Sequence, residues 1–258
     1  MSSIVYGPVP SWRLGKSLGI DLLSTKGKTC SFDCIYCQLG KTIHFLTERR
    51  QFISLDKVTA ELEGVKNIAA DYATFSGVGE PTLASNLGEA IELVRSVLRL
   101  PIAVLTNASL IPREDVRHDL IRADIVVAKL DAPGEELFQK INRPSGPYSL
   151  EEVTEGIRHF RSEYHGKLAL QMMFVEENKG HAEEMARLAA TLEPDEVQLN
   201  TPLRPCAVKP LPPEDISSIK GAFPSLNNVV TVYEAPKTEV VPLDLKEMQR
   251  RRPSEGLV

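Results

Sequence analysis

The chain has 258 residues, 42% of them hydrophobic, with 30 basic against 35 acidic side chains for a net charge of −5. That is enough apolar material for one substantial core, and the negative balance excludes a global field for nucleic acid or an anionic membrane, leaving only local basic patches. No apolar run approaches the roughly 20 residues of a membrane-spanning helix, and the start lacks a basic segment followed by an apolar signal core, so a cytoplasmic protein without a membrane partner is expected.

Read from the N-terminus, the chain repeats one grammar: a short β-branched run, a polar loop with Gly or Pro, then an amphipathic helix. The runs at 19–23, 72–76, 102–105, 125–128, 168–174 and 196–199 are expected as strands of a parallel sheet. Between them, Leu55, Val58, Leu62, Val65 and Ala69 recur at helical spacing behind Ser54 as a candidate N-cap, and Leu87, Ile91, Val94 and Leu98 do the same. Leu150, Val153, Ile157, Phe160 and Tyr164 form a further stripe, opened by Ser149 and Glu152 in capping-box spacing. Six such units in about 200 residues are too few to close a full barrel. The expectation is an α/β chain forming a partial (βα)6 TIM-like barrel over 1–212. The four prolines at 205–213 break the pattern, so 213–258 is expected to be a short appendage packed on the barrel.

Three of the four cysteines fall within eight positions, in Cys30-Ser-Phe-Asp-Cys34-Ile-Tyr-Cys37, just beyond the first expected strand. Thiols so spaced in a reducing compartment read as metal ligands rather than as a disulfide framework. A 4Fe-4S cluster held by three cysteines keeps one iron open for a ligand. Zinc is the alternative, with His44 as a fourth ligand, as are three ordinary buried thiols; but structural zinc usually takes two separated ligand pairs, and no second pair follows.

The C-x3-C-x2-C loop after a first strand, with aromatic Tyr36 before the last cysteine, resembles the radical SAM superfamily. The flanking text from Tyr6 to Gly15 and from Cys30 to Gly40 is similar to its branch of Fe-S oxidoreductases related to wyosine-type tRNA synthetases. The resemblance implies a 4Fe-4S cluster on Cys30, Cys34 and Cys37. It also implies reductive cleavage of S-adenosylmethionine (SAM) to a 5'-deoxyadenosyl radical, a flavodoxin- or ferredoxin-like external electron donor, and tRNA as one possible substrate. The synthetases of that branch carry a second cluster on cysteines upstream of the motif, and no cysteine precedes Cys30 here. A non-catalytic metal-binding scaffold that keeps the fold is the alternative to an enzyme.

Further positions fit the same pattern. Gly77, Gly79 and Glu80 follow the second expected strand and resemble the Gly-Gly-Glu motif that holds the SAM amino group; glycines permit close backbone approach and a carboxylate complements an ammonium. Thr106 and Asn107 end the third strand with groups able to bond a ribose, though Thr-Asn is also a common exit into a turn. Lys129 and Asp131 follow the fourth, where parallel barrels place their chemistry. Arg143 with Asn142, and Arg204 with Asn200, pair an arginine with an amide on proline-stiffened loops suited to a carboxylate or phosphate, or are simply exposed loop residues. Arg13 and Lys16 near the start could add to such an anion site. Arg250, Arg251 and Arg252 are read as the end of a C-terminal helix, where cations complement the macrodipole.

Overall fold

The computed structural model describes residues 3–236 and 238–252; residues 1–2 of the expected barrel, and 237 and 253–258 of the expected appendage, lie outside the described residues. The chain opens with a hairpin, β1 (Val5–Ser11) and β2 (Gly15–Ile20), and the loop beyond it carries the two-residue strands β3 (Thr29–Cys30) and β4 (His44–Phe45). Then come β5 (Tyr72–Phe75), β6 (Ile102–Thr106), β7 (Ile125–Lys129), β8 (Lys167–Met173), β9 (Glu196–Asn200) and β10 (Val229–Thr231). Helices separate them: α1 (Leu55–Glu63), α2 (Leu87–Leu98), α3 (Glu114–Leu120), α4 (Glu135–Asn142), α5 (Leu150–Glu163), α6 (Ala182–Ala190) and α7 (Pro213–Gly221), with α8 (Leu245–Arg251) last.

Eight strands form one curled sheet in the order β1-β2-β5-β6-β7-β8-β9-β10, every neighbouring pair parallel except β1 with β2. This is the expected partial barrel, its six central strands extended by one strand at each edge. Helix residues such as Val58, Leu62, Ile91, Val94, Ile157 and Phe160 pack on the outer face against Leu18, Phe75, Val104, Val126 and Leu170. Small and medium residues turn inward on the alternate positions, with Ala103, Val127 and Ala169 beside Leu14 and Leu105. Burial on both faces explains why the strands read as near-continuous apolar runs.

Three local expectations need correcting. The first strand of the parallel set is β2, not 19–23, because buried Asp21 leaves the ladder to pair with Arg251 and its amide donates instead to Ile4 O. The strand β1 went unread because it contains Pro8 and Pro10, which an edge strand tolerates since one row of its amides needs no partner. The first helix stops at Gly64, leaving Val65 half-buried and Ala69 exposed beyond it. The two caps hold: Ser54 accepts from Lys57 N, and Ser149 with Glu152 forms the reciprocal box that opens α5.

The residues after 212 supply α7, the parallel edge strand β10, and α8, which packs on β1. No helix among the described residues is long and apolar enough to cross a membrane.

Candidate active site

The cysteine loop leaves the C-terminal end of β2 and is anchored at both sides by backbone bonds. On one side Thr29 N donates to Val78 O and Glu80 N to Thr29 O, so β3 lies directly against the Gly77–Glu80 turn. A Cβ on Gly79 would collide with the Thr29 carbonyl, which is why this approach needs glycine. On the other side the 142–145 loop runs along the cysteine loop like a short strand. Asp33 N donates to Asn142 O and Arg143 O, Ile35 N to Ile141 O, and Ser145 N to Ser31 O.

Four cysteines are free, Cys30 buried and Cys34, Cys37 and Cys206 half-buried. Asn107 Nδ2 reaches Cys30 Sγ at 3.5 Å and Ser31 Oγ at 2.9 Å, while Asn142 Nδ2 lies 3.6 Å from Cys34 Sγ. Burial pushes the Cys30 thiol up to about 12 and Cys34 up to about 11, against the pull of Lys28. Lys28 is itself buried, and although burial opposes its charge, the three thiols of Cys37, Cys30 and Cys34 leave its pKa raised. A buried ammonium beside three clustered thiols favours their thiolate forms, which are the metal-binding forms. Among the described residues no three His, Cys, Asp or Glu side chains converge on a single ion; a multi-iron cluster takes its thiolates on separate irons and needs no such convergence. His44 is exposed and bonds Lys26 O, and Cys206 donates to Val208 O. The donor set therefore fits a cluster on Cys30, Cys34 and Cys37.

Behind the loop sits Asp131, 2% exposed. Its Oδ1 accepts from Met173 N at 2.8 Å and pairs with Lys129 Nζ at 3.0 Å; its Oδ2 accepts from Asn142 Nδ2 at 2.8 Å and from Tyr36 OH. Burial, then the Asp131 charge, hold the Tyr36 phenol well above its usual range. Lys129 Nζ also lies 4.7 Å from the Tyr36 ring centre, a cation over an aromatic face. Asp131 thus locks Tyr36, and with it the cysteine loop, to the ends of β7 and β8. Its oxygens are turned into the protein rather than into the cavity.

Glu80, also 2% exposed, plays the corresponding part on the other side. Its Oε1 accepts from Thr82 N, Thr82 Oγ1 and Thr106 Oγ1, and its Oε2 from Asn107 N at 2.6 Å. Burial raises its pKa against these donors. Gly77, tight against Asp21, borders the cavity, as do Tyr36 and Cys37.

That cavity, about 390 Å³, occupies the concave face of the sheet and runs from Cys37 and Gly77 past Ser17, Thr74 and Gln171. Lys129, Asn200 and Arg204 line it. Arg143 does not: it caps α4 in a left-handed conformation with an exposed side chain. Sequence reasoning missed Lys28, whose only signal is its position two residues before Cys30, and the cavity role of Arg252, which sits at the helix end as expected, capping α8, and also lines the cavity. Arg251 lies in the last turn of α8 as expected, yet its partners are Asp21 at 2.8 Å and Glu247 at 2.6 Å.

A model of the radical SAM superfamily matches residues 25–189, well over half of the chain. The chain belongs to the radical SAM superfamily. It is an iron–sulfur enzyme of that superfamily, and the matched span contains the cysteine loop and strands β5 to β8. It is 40% identical over 235 residues to the UPF0026 protein MJ1312 of Methanocaldococcus jannaschii, covering 88% of this chain and 72% of that one, and so belongs with the UPF0026 proteins. Two radical SAM structures share the fold. A methyltransferase from Sphaerobacter thermophilus has TM-score 0.62 at 19% identity, covering 83% of this chain and 65% of its own. TYW1 with a lysine-pyruvate adduct has TM-score 0.61 at 13% identity, covering 82% and 74%. The chain thus spans somewhat less than two thirds of that methyltransferase.

Proposed function

We propose that this enzyme holds a 4Fe-4S cluster on Cys30, Cys34 and Cys37 and uses it to cleave SAM reductively. When bound, the cluster would supply one electron, received from an external flavodoxin- or ferredoxin-like donor, to break the sulfonium C5'–S bond and give methionine and a 5'-deoxyadenosyl radical. That radical would take hydrogen from a substrate held in the cavity. The observation that carries this reading is the set of three free thiols on one doubly anchored loop beside buried Lys28, with Cys37 bordering the concave cavity.

The chain's own residues have separable tasks. Asn107 and Asn142 donate toward the ligand sulfurs, which stabilises thiolate charge. Glu80, its carboxylate held by Thr82, Thr106 and Asn107, organises the β5–β6 edge and fixes the Gly77–Glu80 turn, which presents Gly77 to the cavity where the SAM amino group would lie. The curled sheet shields the cavity from water on its concave side, which protects a carbon radical there.

The test is anaerobic reconstitution with iron and sulfide, followed by metal counting, EPR with and without SAM, and assay for 5'-deoxyadenosine. About four irons per chain, a SAM-perturbed signal and deoxyadenosine release are expected. Cys206→Ala should leave all three intact. Zinc in place of iron, or a loaded protein that releases no deoxyadenosine, would reject the reading.

A further inference from the structure

Three arginines meet across the open side of the half-barrel with no acid among them. Arg13 comes from the β1–β2 turn at one edge of the sheet, Arg204 from the segment after β9 near the other edge, and Arg252 from just beyond α8. With Lys129 and Arg251 the cavity lining carries five cations and no carboxylate, in a chain whose net charge is −5. Lys129 and Arg251 are matched by Asp131 and Asp21. Arg13, Arg204 and Arg252 form no ion pair among the described residues; Arg252 donates to Pro10 O at 2.9 Å and Arg13 stacks 5.2 Å from the Trp12 ring centre. Arg13 Nε and Arg204 Nη1 are buried without a partner among the described residues.

The three side chains are half-buried, and gathering guanidinium groups even partly away from water is unfavourable unless an anion completes the set. Burial first, and the neighbouring arginines second, push Arg13 down to about 9 against the opposing pull of Glu196, which is no part of the cavity lining, and Arg204 down to about 10. The planar forks are matched by the paired oxygens of phosphate or carboxylate. Gln171, 8% exposed and lining the same cavity, adds a buried Nε2 donor without a partner. The cavity's size and its place on the concave face suit a small ligand, whereas a nucleic-acid backbone needs an exposed basic track.

We propose that Arg13, Arg204 and Arg252 form an anion subsite that grips the phosphate or carboxylate of a small-molecule substrate, leaving its reacting end toward Cys37 and Gly77. The substrate role rests on the radical SAM chemistry above; the anion site itself does not.

Calorimetry on the reconstituted full chain at low ionic strength and neutral pH, with inorganic phosphate and with acetate as separate probes, tests it. At least one ion should bind at one per chain, with affinity unchanged by saturating SAM, and the tighter ion names the anion. Arg13→Gln and Arg204→Gln should each weaken binding about tenfold or more, and Arg187→Gln, on the exposed face of α6, should leave it unchanged. The two arginines lie on different segments, so if one variant fails to fold the other still decides. The proposal is overturned if neither ion binds at about 10 mM, if folded variants bind like the parent, or if SAM abolishes binding, which would make the arginines holders of the SAM carboxylate. Should the loaded enzyme release no deoxyadenosine while phosphate still binds and the variants still lose it, the chemistry falls and the subsite stands.

Discussion

Buried thiols without metal are reluctant to ionise, and Cys30, pushed up to about 12 by burial, is the extreme case. In cluster-free protein its alkylation by iodoacetamide should rise about tenfold per pH unit between roughly pH 7 and 10, because below its pKa the thiolate fraction does so. Peptide mapping of the labelled protein reads this directly, and a plateau near pH 9 would show a thiol far more acidic than its surroundings imply. Asp131 makes the second residue-scale argument. Replacing it with Asn removes the charge that pairs with Lys129 and one of the acceptors serving Tyr36, Asn142 and Met173 N. Leaving a buried cation unmatched costs about 3 kcal/mol. Asp131→Asn should lower the melting temperature and also reduce iron retained after gel filtration; a variant that loses stability but keeps full iron would separate Asp131 from the cysteine loop.

At the scale of elements, the cysteine loop depends on contacts made by backbone. Gly79→Ala would place a methyl group against the Thr29 carbonyl, so β3 must shift, and Cys30 is the second residue of β3. The expected outcome is loss of most cluster iron with far-UV circular dichroism little changed. Ser149→Ala makes the contrast. It deletes the N-cap of α5, whose bonds run to Glu152, at a cost of about 1 kcal/mol, or some 2–4 °C in a chain of this size, with iron content untouched. If both variants lost iron alike, general destabilisation rather than loop position would explain the effect.

For the whole molecule, the C-terminal helix is tied to the first strands by one buried ion pair. The Arg251 side chain, fully out of solvent, pairs with Asp21 and Glu247, donates to Ser3 O and lies 4.6 Å from the Tyr6 ring centre. Arg251→Met leaves Asp21 as a buried, unmatched charge and should cost about 3–5 kcal/mol, read as a fall in denaturation midpoint. Asp21 also packs against Gly77, so the same variant should weaken SAM binding in the reconstituted enzyme. An unchanged midpoint would mean that α8 is not fastened in this way.

Local signals carried much of this protein in its sequence. The helical stripes, the Ser54 and Ser149 caps and the central strands depend on periodicity and on groups three or four residues apart, which any window of the chain displays. The cysteine spacing likewise carried the likeness to the radical SAM superfamily, because all three thiols fall within eight positions on one loop. Relations between distant segments were not legible. That Asp131 locks Tyr36, that Asn142 reaches Cys34, and that Lys28 is buried among the thiols follow from which strand ends the curled sheet brings together. The proline-bearing strand β1 was hidden because its tolerance depends on being an edge, a property of the sheet rather than of the strand. Most plainly, Arg13, Arg204 and Arg252 are separated along the chain by 191 and 48 residues, taken from their numbers. Only the folding of both sheet edges and the C-terminal helix around one cavity makes their charges neighbours, because electrostatic interaction depends on distance through space and on exclusion of water, and neither is written in the order of residues.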